Sequence, residues 1–371
     1  MNKLKKLLCL VLCFGLVFVM AACGGDEEAE QNKQQNEENN NEELTEEEAW
    51  KLEPAYGETL QYYMSDGCTS GPLVADLLGY YEEAGLTVKG YKGTSYTEAL
   101  GTDSVQIAVG HIATMLVPCS NNVDLTFVGG AHIGCKSLYV LADSPYQTTE
   151  DLKGLKISTP NGIGASDYNI TARLFDADGI NPLEDVSLVQ VETSACIPAM
   201  QSGEIAAALL SDTYAYHMVE DGTLRVISSL LDEDFQQEPC CVIAMNATFV
   251  KENPITATKM ADCVKKAHDW MRENPEEATQ MLIDEGLNSD DFDMNVILND
   301  SLKFGLTNDF TGEGLEKIVD DYIRLGLITS TDNADEVMEK AWTPLGDGSL
   351  GKVSDYQEAW FVQMQADAAA K

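Results

Sequence analysis

Four histidines (His111, His132, His217 and His268) and ten cysteines are the side chains here best suited to nucleophilic, acid–base or metal chemistry. No two histidines stand at HExxH spacing, and there is no GxSxG elbow, Walker loop or CxxC pair. Cys135 could act as a thiol nucleophile with His111 or His132 as its base. Seven cysteines lie in the body of the chain: Cys68, Cys119, Cys135, Cys196, Cys240, Cys241 and Cys263. An odd number without CxxC spacing specifies neither a disulfide framework nor a zinc ribbon. Cys68, Cys135, Cys196, Cys240 and Cys241 fall at expected loops or crossovers, and thiolates select copper(I) and zinc, so soft-metal capture is one reading. Free cysteines more often pack as small apolar residues, and the expectation is no catalytic residue, no cofactor and no metal.

Other residues have the chemistry of ligand contact. Asp66, Cys68, Thr69 and Ser70 precede a helical pattern, so hydroxyls and backbone N–H groups gather where a helix N-terminus favours an anion. Gly162, Gly164, Ala165 and Ser166 repeat the arrangement later, with glycines that let backbone approach a ligand. Gly110 and His111 end an apolar run, and His132 and Cys135 sit in a second glycine-rich loop. Thr193, Ser194, Asp212 and Tyr214 follow later strand patterns. Only four arginines occur, and no bidentate carboxylate clamp is evident. Tyr96, Tyr168 and Tyr214 with Asp66, Asp212, His111 and His132 offer the mixed donors and aromatic faces that suit a nitrogen heterocycle.

The elements that must position these groups alternate strand and helix, which predicts α/β architecture. Apolar runs at 59–64, 86–88, 105–109, 125–129, 137–141, 155–158, 186–191, 205–210, 224–227 and 241–245 read as strands. Leu73, Val74, Leu77, Leu78 and Tyr81 recur at helical spacing until Gly85. The pattern beyond Asn253 is helical. Residues 97–111 and 199–212 each run from short helix through turn to buried strand and then to polar groups, which predicts a duplicated unit. Two such units facing one another would bring their strand ends into one cleft.

At the N-terminus, Lys3, Lys5 and Lys6 precede the apolar run Leu7–Met20, the pattern of a secretion signal. Met20-Ala21-Ala22-Cys23 resembles the bacterial lipobox, which implies cleavage before Cys23 and its acylation. Residues 26–48 hold eleven acidic residues and one lysine, and read as part of a disordered tether. The expected organisation is a signal peptide at 1–22, anchor and tether at 23–54, one lobe at 55–142 plus 246–371, and a second at 143–245. A net charge of −39 without a basic patch excludes nucleic acid as a natural partner.

The stretch Thr148–Ile157 (TTEDLKGLKI) resembles the "DLKGKKIGV" segment of ABC-importer binding proteins for nitrate, sulfonates and taurine. That group includes relatives binding thiamine-pyrimidine precursors. The resemblance continues through Gly162–Ser166, Ala199–Ile205 and Phe249–Pro254. It implies a two-lobed periplasmic-binding-protein-like fold of type II with ligand between the lobes. It further implies a monomeric, lipid-anchored extracytoplasmic protein that hands a small molecule, foremost a sulfonate- or nitrate-like anion, to the membrane permease subunits of an ABC importer. A thiamine-pyrimidine-like heterocycle is the alternative ligand. The alternatives of another class are a thiamine-pyrimidine synthase-like enzyme, of whose cysteine motif Cys240-Cys241 is a faint echo, and a soft-metal-binding lipoprotein. Gln106 and Ala206 stand where the family usually has Asp, and Ser211–Tyr214 replaces a more usual Trp-Glu-Pro-Tyr-like run.

Overall fold

The computed structural model describes residues 44–351 and 358–370. The signal, the lipobox with Cys23 and most of the acidic tether lie outside the described residues. The folded unit begins at Glu46, earlier than the expected tether boundary at residue 54. Glu46–Trp50 is a helix whose Trp50 Nε1 donates to Thr256 Oγ1 at 2.9 Å. Glu53 then caps the long helix Pro254–Glu273, accepting from the backbone N–H groups of Ile255 and Thr256 at 2.6 and 2.9 Å. A composition-based boundary misses this because the acidic run continues into residues that have structural work at a helix N-terminus, where negative charge is favoured.

The strands form two five-stranded sheets. The first contains β1 (Thr59–Tyr63), β2 (Thr87–Tyr91), β3 (Ile107–His111), β4 (Thr126–His132) and β10 (Cys241–Met245), in the order β2-β1-β3-β10-β4. The second contains β5 (Lys136–Leu141), β6 (Lys156–Ser158), β7 (Ser187–Val189), β8 (Ala207–Ser211) and β9 (Leu224–Ser229), in the order β7-β6-β8-β5-β9. The orders are equivalent. Each sheet has one antiparallel insert beside its third strand: β10 between β3 and β4, and β5 between β8 and β9.

Both inserts follow a change of sheet. The expected boundaries at 142/143 and 245/246 therefore do not coincide with the pairing. Lys136–Leu141 belongs to the second sheet and Cys241–Met245 to the first. The sequence reading fails there because a buried apolar strand carries no mark of which neighbour it pairs with. The C-terminal end also departs from its expected lobe. Helix Trp360–Ala370 packs on helix Asp212–Glu220 of the second sheet's half, with Gln365 Oε1 accepting from Val226 N at 2.6 Å.

The repeated unit is present in matching form. In the first half, β3 leads through His111 into helix Ile112–Ser120; in the second, β8 leads through Ser211 into helix Asp212–Glu220. The residues before these strands dock them on their neighbours: Gln106 N donates to Gln61 O, and Ala206 N to Lys156 O. Gln106 adds a side-chain bond, its Oε1 accepting from Gln61 N at 2.7 Å. The substitution of the usual acidic residue at position 106 thus leaves strand docking intact.

Candidate functional site

A cavity of about 480 Å³ opens at the carboxyl ends of β3 and β8. One wall is the turn Asp66–Thr69 after β1, with Tyr96 and His111. Cys135, at the change of sheet, and Lys136, the first residue of β5, line its floor. Ser211, Asp212 and Thr213 form the wall from the second sheet. The connecting segment Leu287–Ser289 and helix Phe292–Leu302, through Asn295, Leu298, Asn299, Ser301 and Leu302, cover it. The size is that of a small organic ligand's pocket, and the place is the one open α/β sheets reserve for ligands.

Six of the expected contact residues line this cavity: Asp66, Cys68, Thr69, His111, Cys135 and Asp212. The others do not. Ser70 is buried and its hydroxyl donates to Gly67 O at 2.7 Å, holding the turn that starts helix Gly71–Leu77. Gly110 makes room for a neighbour: a Cβ there would lie 2.5 Å from the Tyr96 ring. Gly162, Gly164, Ala165 and Ser166 lead into helix Ser166–Ala177 but lie off the cavity lining. Thr193, Ser194 and Tyr214 are likewise outside it; Tyr214 donates to Thr193 O at 3.4 Å. His132 is buried beneath the floor.

Asp212 faces the cavity, but its carboxylate is already engaged. Ser137 Oγ and Tyr139 OH donate to Oδ1 at 2.8 and 2.7 Å, and Trp360 Nε1 donates to Oδ2 at 3.3 Å. Burial raises its pKa to about 6, against the lowering effect of these donors. Its role is to fasten β5 and the C-terminal helix to the start of helix Asp212–Glu220.

Lys136 is the residue that the sequence reading missed. It opens β5 opposite Ser211 and lines the cavity, and its Nζ donates to Ser166 Oγ at 3.1 Å. It thereby links the cavity to the last residue of the expected second anion loop, where helix Ser166–Ala177 begins. A search confined to arginines overlooks it, and its only sequence signal is its place after Cys135. The covering carboxamides Asn295 and Asn299 were also missed, although their four-residue spacing places them on one helix face.

Beneath the floor, thiols and imidazoles gather. Cys135 Sγ lies 3.5 Å from Cys240 Sγ and 3.7 Å from His111 Nε2, and Cys240 Sγ lies 3.4 Å from His111 Nδ1. The ligand atoms of His111, Cys135, Cys240 and Cys241 all lie within 4.8 Å of one another, as do those of Cys68, His132 and Cys241. Thiol neighbours Cys135 and Cys241, with His111, hold Cys240 well below the usual thiol pKa, while burial pushes Cys241 well above it. Burial disfavours charge on His111, but Cys135 and Cys240 raise its basicity overall. Of the five cysteines considered for soft metal, Cys196 stands apart, donating to Val191 O at 3.3 Å.

The chain belongs to the NMT1/THI5 like family, whose pattern it matches over residues 69–278, more than half its length. Among curated proteins, none matches the sequence. Solved structures of the same architecture include the periplasmic aliphatic sulphonate binding protein SsuA from Escherichia coli. It is 17% identical with a TM-score of 0.61, over 82% of this chain and 99% of that one. The alkanesulfonate-binding protein SsuA from Xanthomonas axonopodis pv. citri, bound to MOPS, is 15% identical with a TM-score of 0.60, over 78% and 99%. The periplasmic nitrate-binding protein NrtA from Synechocystis PCC 6803 is 14% identical with a TM-score of 0.58, over 76% and 85%. At these identities the likeness is one of fold. It defines the chain as a two-lobed α/β protein of the periplasmic-binding-protein type. No helix of the described residues is long and apolar enough to cross a membrane.

Proposed function

We propose that this protein is an extracytoplasmic solute-binding lipoprotein that carries a small organic anion of the sulfonate type to the permease of an ABC importer. It would act by binding and release without turnover, as a monomer anchored through acylated Cys23. The observation that carries the reading is the placement of Lys136 in a cavity of about 480 Å³ at the facing strand ends of the two sheets. Lys136 supplies the counter-charge, and the hydroxyl of Thr69 lines the same cavity. The chain's overall negative charge does not forbid this, because exposed charges beyond roughly 8 Å are screened at physiological ionic strength. The sulfonate- and nitrate-binding functions named for proteins of this fold favour the same class.

The carboxamides Asn288, Asn295 and Asn299 support a second reading, a thiamine-pyrimidine-like heterocycle: a carboxamide carries both donor and acceptor, and although the Nδ2 groups of Asn295 and Asn299 already donate to Ser289 and Thr279, their oxygens are acceptors on the cavity lining. A thermal-shift screen of taurine, longer alkanesulfonates, nitrate and hydroxymethylpyrimidines separates the two. A ligand at 100 times its dissociation constant adds about 2.7 kcal/mol of stability. The anion reading expects sulfonates to raise the melting temperature and Lys136→Met to weaken their binding at least tenfold. Stabilisation by pyrimidines alone, indifferent to Lys136→Met, would establish the heterocycle instead.

A further inference from the structure

We propose that the thiol–imidazole cluster under the cavity is a resident soft-metal centre, with His111, Cys135, Cys240 and Cys241 as its ligands for zinc or copper(I). Cys68 and His132 extend it through a shared Cys241 thiolate toward a second ion. This departs from the expectation that the chain carries no metal ligands, and it is independent of the ligand class proposed above.

The sheet itself builds the cluster. In the antiparallel ladders, Cys241 stands opposite His111 on one side and His132 on the other, at the ends of three adjacent strands. Cys240 precedes Cys241, and Cys135 lies three residues beyond His132. A tetrahedral ion with metal–sulfur bonds of about 2.3 Å sets its sulfur ligands about 3.7 Å apart and a nitrogen slightly nearer. The observed separations of 3.5 Å between Cys135 and Cys240, and 3.4 Å from Cys240 to His111 Nδ1, already have that size.

Two independent observations distinguish this cluster from ordinary buried cysteines. First, Cys119, Cys196 and Cys263 each donate S–H to a backbone carbonyl at 3.3 Å. Cys135 and Cys240 instead face one another and His111. Second, His132 is fully buried, with Nδ1 2.9 Å from Ile133 O, a contact in which Nδ1–H donates. That tautomer leaves Nε2 with a bare lone pair, and this buried atom has no hydrogen-bond partner. A ring oriented through one nitrogen, with the other free, is the state in which histidine ligates metals. Cys135 also holds a left-handed backbone, φ 106°, which a non-glycine residue adopts at a local cost.

The cluster's geometry makes the ion a resident of the floor. His111, Cys241 and His132 sit on the first sheet, Cys240 immediately before β10 and Cys68 in the turn after β1, and Cys135 sits at the change of sheet. No ligand comes from the far wall at Ser211–Thr213. Separation of the two halves would therefore leave the ligand set intact. Only Cys68, His111 and Cys135 reach the cavity, so the ligands His111 and Cys135 would stand between the ion and the solute.

The test uses the anaerobically purified, reduced protein, stripped of metal and titrated with zinc and, separately, with copper(I) against a competing chelator. At least one equivalent of one of these ions should be retained. Cobalt(II) in the same site should give thiolate-to-cobalt charge-transfer absorption. Cys135→Ser and His111→Ala, checked for native circular dichroism, should each weaken binding at least tenfold, and Cys196→Ser should leave it unchanged. Retention of neither ion, equal affinity in Cys135→Ser, a cobalt adduct without the thiolate band, or a Cys135–Cys240 disulfide in the anaerobic protein would each overturn the proposal. Metal is read here without any organic solute, so failure leaves the anion reading standing, and failure of the solute screen leaves this one.

Discussion

Removing the Arg173 side chain tests how the two halves are fastened together. Arg173 projects from helix Ser166–Ala177 and is 8% exposed. Its guanidinium donates to Glu238 Oε2 at 2.7 Å, on the segment leading into β10, and to Asp321 Oδ2 at 2.8 and 2.9 Å, on helix Asn308–Arg324. Burial works against charge on both partners. It nevertheless leaves Arg173 raised in basicity, because two carboxylates face it, and leaves Glu238 above the usual carboxylate range, because one guanidinium does not fully offset its desolvation. The pair is thus a costly arrangement that is worse when broken. Charges about 4 Å apart interact by about 4 kcal/mol at an effective dielectric constant of 20. Breaking a buried pair from one side costs about 3–5 kcal/mol because the other charge is stranded. Arg173→Met should therefore destabilise by about 3–5 kcal/mol in urea unfolding at pH 7. Asp321 retains Arg324 and is more exposed, so Glu238 is the stranded group. Adding Glu238→Gln should recover about 2 kcal/mol, and the loss in Arg173→Met alone should shrink as pH falls and Glu238 protonates. Additivity of the two substitutions within about 0.5 kcal/mol would refute this account.

Asp212 makes stability depend on pH in the opposite sense to a salt-bridged carboxylate. Its folded pKa of about 6 exceeds the ordinary 3.8, so the native state binds the proton more tightly and loses that advantage as pH rises through about 6. The whole shift corresponds to about 3 kcal/mol, of which a little over 2 is lost between pH 4 and pH 7; Asp212→Asn should remove it, and an unchanged difference between the two proteins' unfolding free energies at pH 5 and pH 7 would refute it. Gly71→Ala should cost about 1–3 kcal/mol, because the new Cβ would lie 2.2 Å from Nε2 of the buried His268 ring. An unaltered melting temperature would show that the ring has room to move.

Local pattern carries the elements well. Apolar runs gave the strands, Gly179 ended its helix, and the repeated helix–turn–strand unit anticipated both β3 and β8 with their polar ends; the helix expected to run through Tyr81 to Gly85 is instead divided by Gly79, whose left-handed backbone (φ 76°) separates Gly71–Leu77 from Tyr80–Glu83. Pairing was not legible. Ser137–Leu141 and Cys241–Met245 read correctly as strands, but nothing within either segment says that it joins the sheet opposite the one its preceding residues belong to. The lining helices were hidden for a related reason: Asn295 and Asn299 look like a solvated face until the fold places them over the cavity. The cysteine cluster depends on the same missing step. The chain changes sheet after His132 and again before Cys241, and each passage delivers the strand inserted beside the third strand of its sheet. The insert β10 lies directly beside β4, from which the first passage departs, so the two passages must run side by side. A residue just before β5 is then bound to meet one just before β10. With cysteine at both places, 105 residues apart, the contact at 3.5 Å follows from topology rather than from any local motif. Placing the changes of sheet at 142/143 and 245/246 instead puts both inserted strands in the wrong sheets and conceals that meeting.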